Sequence, residues 1–294
     1  MHAPVLVAEV LSHLAPARGG LFVDCTLGAG GHTRALLAAG ATRVLGFDRD
    51  RTALALAADT LHDRLDRVEM VHADYRSLGD VLNARNIPFV DGGILADLGV
   101  SSMQLDDAER GFSFRADAPL DMRMDRDSGL SAASLLQTVD EAALADVIYE
   151  FGEERFSRRI ARGIVRARES GPIETTGQLA AIVRRAIPTR GWQRIDPATR
   201  TFQALRIWVN GELDGLANFL RDAVARLDAG ARIAIIAFHS LEDRIVKHTF
   251  RQLSQDPDQR LGIVTKRPIE ATDDEVARNP RAHSAKLRVA ERLA

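Results

Sequence analysis

Cysteine is almost missing from this chain, with Cys25 standing alone among 294 residues. A single thiol excludes an internal disulfide and any cysteine-based metal cluster. At the end of an apolar run, Cys25 reads as a small buried residue. Lysine is nearly absent too, confined to Lys247, Lys266 and Lys286, which reads as sequence bias rather than function. Long apolar runs are lacking: the longest, such as 233–238, are far too short to cross a bilayer. The first residues also lack the basic, apolar and small-residue order of a secretory signal. A cytoplasmic protein without a membrane span is expected.

What is present fits a globular enzyme. Hydrophobic residues make up 46% and charged residues 27%, ordinary values for a folded domain. At 294 residues the chain has room for two domains of about 100 to 200 residues each. Apolar runs at 21–25, 43–48, 67–72 and 92–97 read as strands, separated by helical patterns near 31–39, 51–63 and 77–85. That alternation implies parallel strands with crossover helices. After Asp97 it stops. Residues 106–130 are polar and rich in Asp, Gly and Arg, and 131–187 read as several amphipathic helices, broken at Gly171-Pro172 and ended by Pro188 and Gly191. A helix at about 202–227, a strand at 231–238 and two short strands near 262–266 and 286–291 follow. The economical organisation is one sheet with a helical insertion: 1–105 as the first part of the sheet domain, 106–205 as the insertion and 206–294 as the second part.

The first βα turn is the chemically informative stretch. Asp24 ends the first strand, Gly28, Gly30 and Gly31 form the turn, and Asp48 ends the second strand 20 positions after Gly28. Glycines let the backbone approach a ligand closely, and a carboxylate at that spacing accepts hydrogen bonds from ribose hydroxyls. Two ligand classes share this arrangement. Nicotinamide proteins carry a third glycine where this chain has Thr33, whereas a carboxylate before the turn, as at Asp24, suits the methyl donor S-adenosylmethionine. Ligands of open α/β sheets bind beyond the carboxyl ends of the strands. Those positions hold Asp24, Asp48, Asp74 with Tyr75, Asp97, and Phe238-His239-Ser240. Asp48 suits the ribose, Asp74 an adenine amine, and Tyr75 the face of the base. For Asp74, Ser101 and Ser102 the reading as cap or turn residues is the favoured one.

The net charge of −2 conceals a segregation. Residues 106–154 hold 13 acids against 4 arginines, and 155–206 hold 12 arginines against 3 acids. Arg155, Arg158, Arg159, Arg162 and Arg166 recur at helical spacing opposite Phe156, Ile160 and Ile164, so one helix presents an arginine stripe. Such a stripe either neutralises phosphates or pairs with the acidic segment before it.

Several longer blocks carry a resemblance. His2 to Leu6, Gly28 to His32, Asp97 to Ser102, Gln104 to Phe114, Pro119 to Asp125, Ala198 to Ala204, Phe238 to Arg244 and Asn279 to Ala282 resemble the signature blocks of the MraW family of small-subunit ribosomal RNA methyltransferases. The resemblance runs nearly end to end. It implies a class I S-adenosylmethionine-dependent methyltransferase fold, Rossmann-like with a mostly parallel sheet and an inserted helical domain. It further implies methylation of N4 of a cytidine in the decoding centre of 16S rRNA, and a partner in the small ribosomal subunit, with the enzyme a monomer or homodimer. Carried over by motif, the donor-binding positions are Gly30, Gly31, His32, Asp48, Tyr75, Asp97 and Gln104. The chain departs from the family pattern at Met103, where proline is common, at Tyr75, where phenylalanine is common, and at His283, where arginine is expected.

The chemistry itself needs no metal. A cytosine amine is a poor nucleophile, so an acceptor must hydrogen-bond its N–H and take the proton lost on methylation. Asp97, after the fourth strand, is the catalytic candidate, with holding the donor's amine as its other role. Enzymes of similar chemistry carry an Asp-Pro-Pro-aromatic motif here, and this chain lacks the prolines and the aromatic. Asp106, Asp107, Asp121, Asp125 and His239 are the reserve candidates. Arg158, Arg159 and Arg162 are the candidate RNA contacts.

Overall fold

The structure, a computed structural model, describes residues 4–188 and 196–294. His2, Ala3 and the expected helix stop at Gly191 lie outside the described residues, as does the side chain of Ser102. In chain order the elements are α1 (Val7–Leu14), β1 (Leu21–Asp24), α2 (Gly31–Ala38), β2 (Arg43–Asp48), α3 (Arg51–Thr60), β3 (Val68–His72), α4 (Leu78–Ala84) and β4 (Gly93–Asp97). Then come α5 (Ser102–Asp106), α6 (Ala132–Thr138), α7 (Glu141–Gly152), α8 (Ser157–Glu169), α9 (Thr176–Ala186) and α10 (Ala198–Asn210). The chain closes with α11 (Leu216–Ala225), β5 (Arg232–Ala237), α12 (Ser240–Gln255), β6 (Leu261–Ile263), β7 (Ile269–Glu270), α13 (Asp273–Arg278) and β8 (Lys286–Arg292).

Packing divides these into two units, 1–99 with 213–294, and 100–212. The insertion expected at 106–205 falls within the second of these, and position 205 lies inside the continuous helix α10. The single helix expected over 202–227 is two helices. Gly211 at φ 55° and Gly215 at φ 71° lie between α10 and α11 in the left-handed region, which ends a helix at low cost only for glycine.

The first unit is one sheet in the order β3-β2-β1-β4-β5-β8-β6, with β7 also pairing β8. Strands β1 to β5 pair parallel, and β8 enters antiparallel between β5 and β6. This is the mostly parallel, Rossmann-like sheet of the class I methyltransferase fold. Strand alternation explains its two cores. Val23, Ile94, Ala96, Ile233 and Ile235 point into one apolar cluster, while Phe22, Leu95, Ala234 and Ile236 point into the other. Because both faces are covered, the strands read as continuous apolar runs rather than alternating ones.

The second unit has its own core, built on Leu120, Leu144, Ile148, Ile160, Ile164 and Leu179 among others. Helices α7 and α9 begin on side-chain caps, Asp140 accepting from the Ala143 amide and Thr175 forming a reciprocal capping box with Gln178. Two residues tie distant parts of the polar stretch 106–130 together. The buried Arg110 guanidinium donates to the carbonyls of Arg123 and Met124 at 3.1 and 2.8 Å. Asn210 donates to the Met122 carbonyl and accepts from the Met124 amide, both at 2.7 Å.

Candidate active site

The glycine turn after β1 is held by the carboxylates on either side of it. Asp24 is buried, with its Oδ2 accepting from the Thr33 hydroxyl at 2.7 Å and its Oδ1 from the Thr26 amide at 3.2 Å. Burial pushes its carboxyl up. Thr33 therefore stands at the third glycine position because its hydroxyl serves Asp24, an interaction that a glycine cannot make. Asp48 Oδ2 accepts from the Gly28 amide and its Oδ1 from the Asp50 amide, both at 2.8 Å. Burial raises the Asp48 carboxyl to about 6 against these bonds.

The glycines differ in what they make room for. Gly30 has φ 81°, and a Cβ there would sit 2.9 Å from Leu61 Cδ1. On Gly31 it would sit 3.1 Å from Pro4 Cγ. Both are packed against the protein. Gly28 at φ 53° and Gly99 at φ 88° are the open ones, where a Cβ would meet nothing nearer than 3.9 and 3.6 Å. Close backbone approach by a ligand is therefore available at Gly28 and Gly99.

His32 points inward. It is 6% exposed, its Nε2 donates to the Val5 carbonyl at 2.9 Å, and its Nδ1 stands 3.7 Å from Asp97 Oδ2. Asp97 ends β4, its amide donating to the Thr26 hydroxyl at 2.6 Å. Its Oδ1 is buried with no hydrogen-bond partner among the described residues. Burial first, with Asp24 and Glu242 adding repulsion and His32 opposing it, raises the Asp97 carboxyl to about 6. An unpartnered acceptor at a strand end, beside carboxyls pushed up by burial, fits a cationic ligand, because positive charge restores what desolvation takes away. S-adenosylmethionine carries a sulfonium and an ammonium, whereas a dinucleotide brings an anionic pyrophosphate. The residues present fit the methyl donor.

Asp74 and Tyr75 share the turn after β3. The Asp74 carboxylate is taken by Arg76, at 2.8 Å from Nε and 2.6 Å from Nη2, and by the Arg76 amide. Burial alone would raise this carboxyl, but the Arg76 fork holds it below the usual range. Its cap role is thus occupied, with Arg76 on both carboxylate oxygens. Tyr75 packs edge-on against Phe219, ring centroids 4.6 Å apart, and burial raises its hydroxyl.

At the end of β5, His239 caps α12. Its Nδ1 accepts from the Glu242 amide at 3.4 Å, and its Nε2 stands 3.2 Å from Glu242 Oε1. Glu242, 1% exposed, takes the Phe238 amide on Oε2 at 2.9 Å. Sequence reasoning overlooked Thr26 and Glu242. The only signal for Glu242 was an acid in the first turn of an amphipathic helix, which ordinarily reads as a surface charge.

In the second unit, Gln104 closes a capping box with Ser101: its Oε1 accepts from the Ser101 amide at 3.0 Å, and its amide donates to the Ser101 hydroxyl at 3.2 Å. The reserve acids there have local duties. Asp107 accepts from the Glu109 amide, Asp125 from the Asp127 amide and the Ser128 hydroxyl. Asp121 is gripped by Arg123 at 2.7 and 3.1 Å, which outweighs burial and lowers its carboxyl. On α8, Ile160, Ala161 and Ile164 are buried, and Arg158, Arg159, Arg162 and Arg166 lie on the other side, all four exposed. Arg162 faces Glu141 at 3.4 Å; among the described residues Arg158 and Arg159 make no ion pair. Arg155 lies over the Phe156 ring at 4.7 Å.

Comparison with known proteins identifies the family. The MraW methylase family matches residues 1–293. Ribosomal RNA small subunit methyltransferase H of Deinococcus radiodurans is 54% identical over 294 residues, covering 100% of this chain and 90% of that protein. The protein of the same name from Geotalea uraniireducens is 48% identical, covering 99% and 98%, and that from Sorangium cellulosum is 51% identical, covering 99% and 91%. Among solved structures, an rRNA methylase from Streptococcus thermophilus is similar at 14% identity and TM-score 0.42 over 97% of this chain and 95% of that one, too distant to carry an argument. At this identity and coverage, the chain belongs to the MraW methylase family.

Proposed function

We propose that this chain, an S-adenosylmethionine-dependent methyltransferase, transfers a methyl group to N4 of a cytidine in the decoding centre of 16S rRNA, acting on the small ribosomal subunit in the cytoplasm. The methyl donor, when bound, supplies an electrophilic methyl on a cationic sulfur. The observation that carries the reading is Asp97, with a buried, unpartnered Oδ1 at the end of β4. There it meets either the amine of the target base or the ammonium of the donor.

The residues divide the work. Asp48 holds the ribose hydroxyls while keeping the glycine turn in place through the Gly28 amide. The turn gives the donor its backbone surface at Gly28, with Gly30, Gly31 and His32 packed behind it to shape the turn, and Tyr75 lies along the base. Asp97, as carboxylate, accepts an N–H of the target amine, orients the nitrogen lone pair, and takes the proton released as the C–N bond forms. Its carboxyl at about 6 suits a base that works near neutral pH. Arg158, Arg159 and Arg162 on α8 contact RNA phosphates.

The test is transfer of a labelled methyl group to unmodified 16S rRNA, both free and within the small subunit, followed by mapping of the modified base. Label at N4 of one cytidine supports the reading. Label on another base, or none on either substrate, overturns it.

A further inference from the structure

We propose that His239 reads the target base as cytosine, its Nε2–H donating to the ring nitrogen N3 beside the amine that is methylated. This rests on the cytidine-N4 reading above and names the residue that would enforce it.

The tautomer is fixed by the fold. His239 is the N-cap of α12, and its Nδ1 accepts from the backbone amide of Glu242. A ring nitrogen that accepts carries no proton, so in the neutral imidazole the proton sits on Nε2. His239 is therefore a donor toward any ligand and is unsuited to taking the proton of the target amine. That donor has no aligned acceptor: Nε2 is buried without a hydrogen-bond partner among the described residues, on a side chain 6% exposed. Glu242 Oε1 lies 3.2 Å away, close enough to polarise the N–H but not aligned to accept it. An unmet buried donor costs stability, so its retention calls for a partner absent from the protein alone.

Position selects the partner. Strands β4 and β5 are parallel neighbours with Asp97 opposite Ile236, and the Leu98 amide donates to the Ile236 carbonyl at 2.9 Å. His239 follows Ile236 by three residues, and a Cβ on Gly99 would touch Phe238 at 3.6 Å. Glu242, beside His239, lies close enough to Asp97 to raise its carboxyl. The two strand ends thus offer one acceptor without a hydrogen-bond partner, Asp97 Oδ1, and one donor, His239 Nε2–H, whose contact with Glu242 is not a hydrogen bond, on strands about 4.8 Å apart. The Watson–Crick edge of cytosine presents the complement: a donor at N4 and, next to it, an acceptor at N3. Uracil presents the reverse, acceptor then N–H, and would meet two mismatches. Enzymes that modify a base read that edge after taking it out of its stack, and a site built to hydrogen-bond a group rejects analogues lacking it.

Cap and donor are separable by substitution. Serine is a good N-cap but too short to replace Nε2–H; glutamine is a poor cap that reaches with an N–H. The expected result is that H239S lowers kcat/KM for unmodified small subunits by about tenfold or more with S-adenosylmethionine affinity unchanged, and that H239Q retains more activity than H239S. On subunits carrying 3-deazacytidine at the target, where C–H replaces N3, the parent enzyme loses a similar factor and H239S loses no further. H239S at the parental rate, or losses from variant and analogue that simply multiply, overturns the inference. Should H239S fail to fold, the parent enzyme on 3-deazacytidine decides it, an undiminished rate being the negative result. A parent enzyme that methylates no cytidine in natural subunits overturns the proposed function, and this inference with it.

Discussion

His32 and Asp97 face each other across 3.7 Å, Nδ1 to Oδ2, with the other imidazole nitrogen committed to the Val5 carbonyl. Since Nε2 must donate to that carbonyl, the neutral ring would turn a lone pair on a carboxylate, and the arrangement is favourable when the pair holds a proton. The separation exceeds a hydrogen bond but lies within Coulomb reach. Asp97 is thereby a carboxyl whose protonation state answers to what binds beside it.

Its effect on stability has a definite sign. The Asp97 carboxyl titrates at about 6 in the fold against an ordinary value of 3.8. A raised carboxyl favours folding in its protonated form: that contribution is full below pH 3.8 and is lost as the pH rises through about 6. At pH 8 the ionised group therefore costs about 1 to 3 kcal/mol, the upper figure being the shift at 1.36 kcal/mol per pH unit, reduced because the side chain is 23% exposed. Asp97→Asn removes that cost. Its melting temperature without donor should exceed the parent's at pH 8 and match it at pH 4, while single-turnover methylation falls by on the order of a hundredfold. A variant no more stable than the parent at pH 8 would remove the buried-charge argument. A large loss of donor affinity instead of rate would assign Asp97 to the donor's ammonium.

Donor binding should depend on pH in the opposite direction. The Asp48 and Asp97 carboxyls both titrate at about 6, and a cationic donor favours the ionised forms. Affinity measured by calorimetry should weaken as the pH falls from about 7 through 6. Asp48→Asn should flatten the Asp48 share of that dependence and cost about 1.5 to 3 kcal/mol of donor binding at pH 7.5. A donor affinity that is the same at pH 5 and pH 8 would contradict the assignment of these carboxyls to a cation.

The two turn glycines should respond differently to alanine. Gly30→Ala places a methyl 2.9 Å from Leu61 Cδ1 at a positive φ, so it should destabilise the fold by about 1 to 3 kcal/mol. Gly28→Ala meets nothing nearer than the Thr26 carbonyl at 3.9 Å and should lose about 1 kcal/mol from its left-handed backbone. Yet it is Gly28→Ala that fills the surface a donor would approach, so it should weaken donor binding more than Gly30→Ala at a temperature where both are folded. Equal affinities for the two variants would place the donor away from Gly28.

Much of the sheet was legible in the sequence because a strand buried on both faces leaves an uninterrupted apolar run, and β1, β2, β4 and β5 each do so. The carboxylates that end β1, β2 and β4 were legible for the same reason, as polar residues closing apolar runs. Strand β7, two residues long, leaves no such trace. Thr33 reads as a failed glycine fingerprint until its hydroxyl is seen on Asp24. His32 falls in a motif, but its inward direction depends on Val5 and Asp97, 27 and 65 positions away, which no local pattern encodes. The donor role of His239 is equally hidden, since it turns on which ring nitrogen caps α12.

The arginine stripe offers a test independent of the methyl-donor site. Helix α8 buries Ile160, Ala161 and Ile164 and exposes Arg158, Arg159 and Arg162, of which only Arg162 meets an acid among the described residues, Glu141 at 3.4 Å. Exposed pairs of this kind contribute about 0 to 1 kcal/mol, so pairing with the acidic segment is a weak reason for the stripe, and phosphate binding is the stronger one. Replacing all three with glutamine should leave the fold and donor affinity intact. It should weaken RNA binding and lower the slope of log affinity against log salt by roughly 0.7 to 0.9 for each phosphate that is no longer neutralised. Fluorescence anisotropy across a salt series measures that slope directly. An unchanged slope with intact folding would remove α8 from the RNA interface, whereas a fall matching one phosphate would single out one arginine for separate replacement.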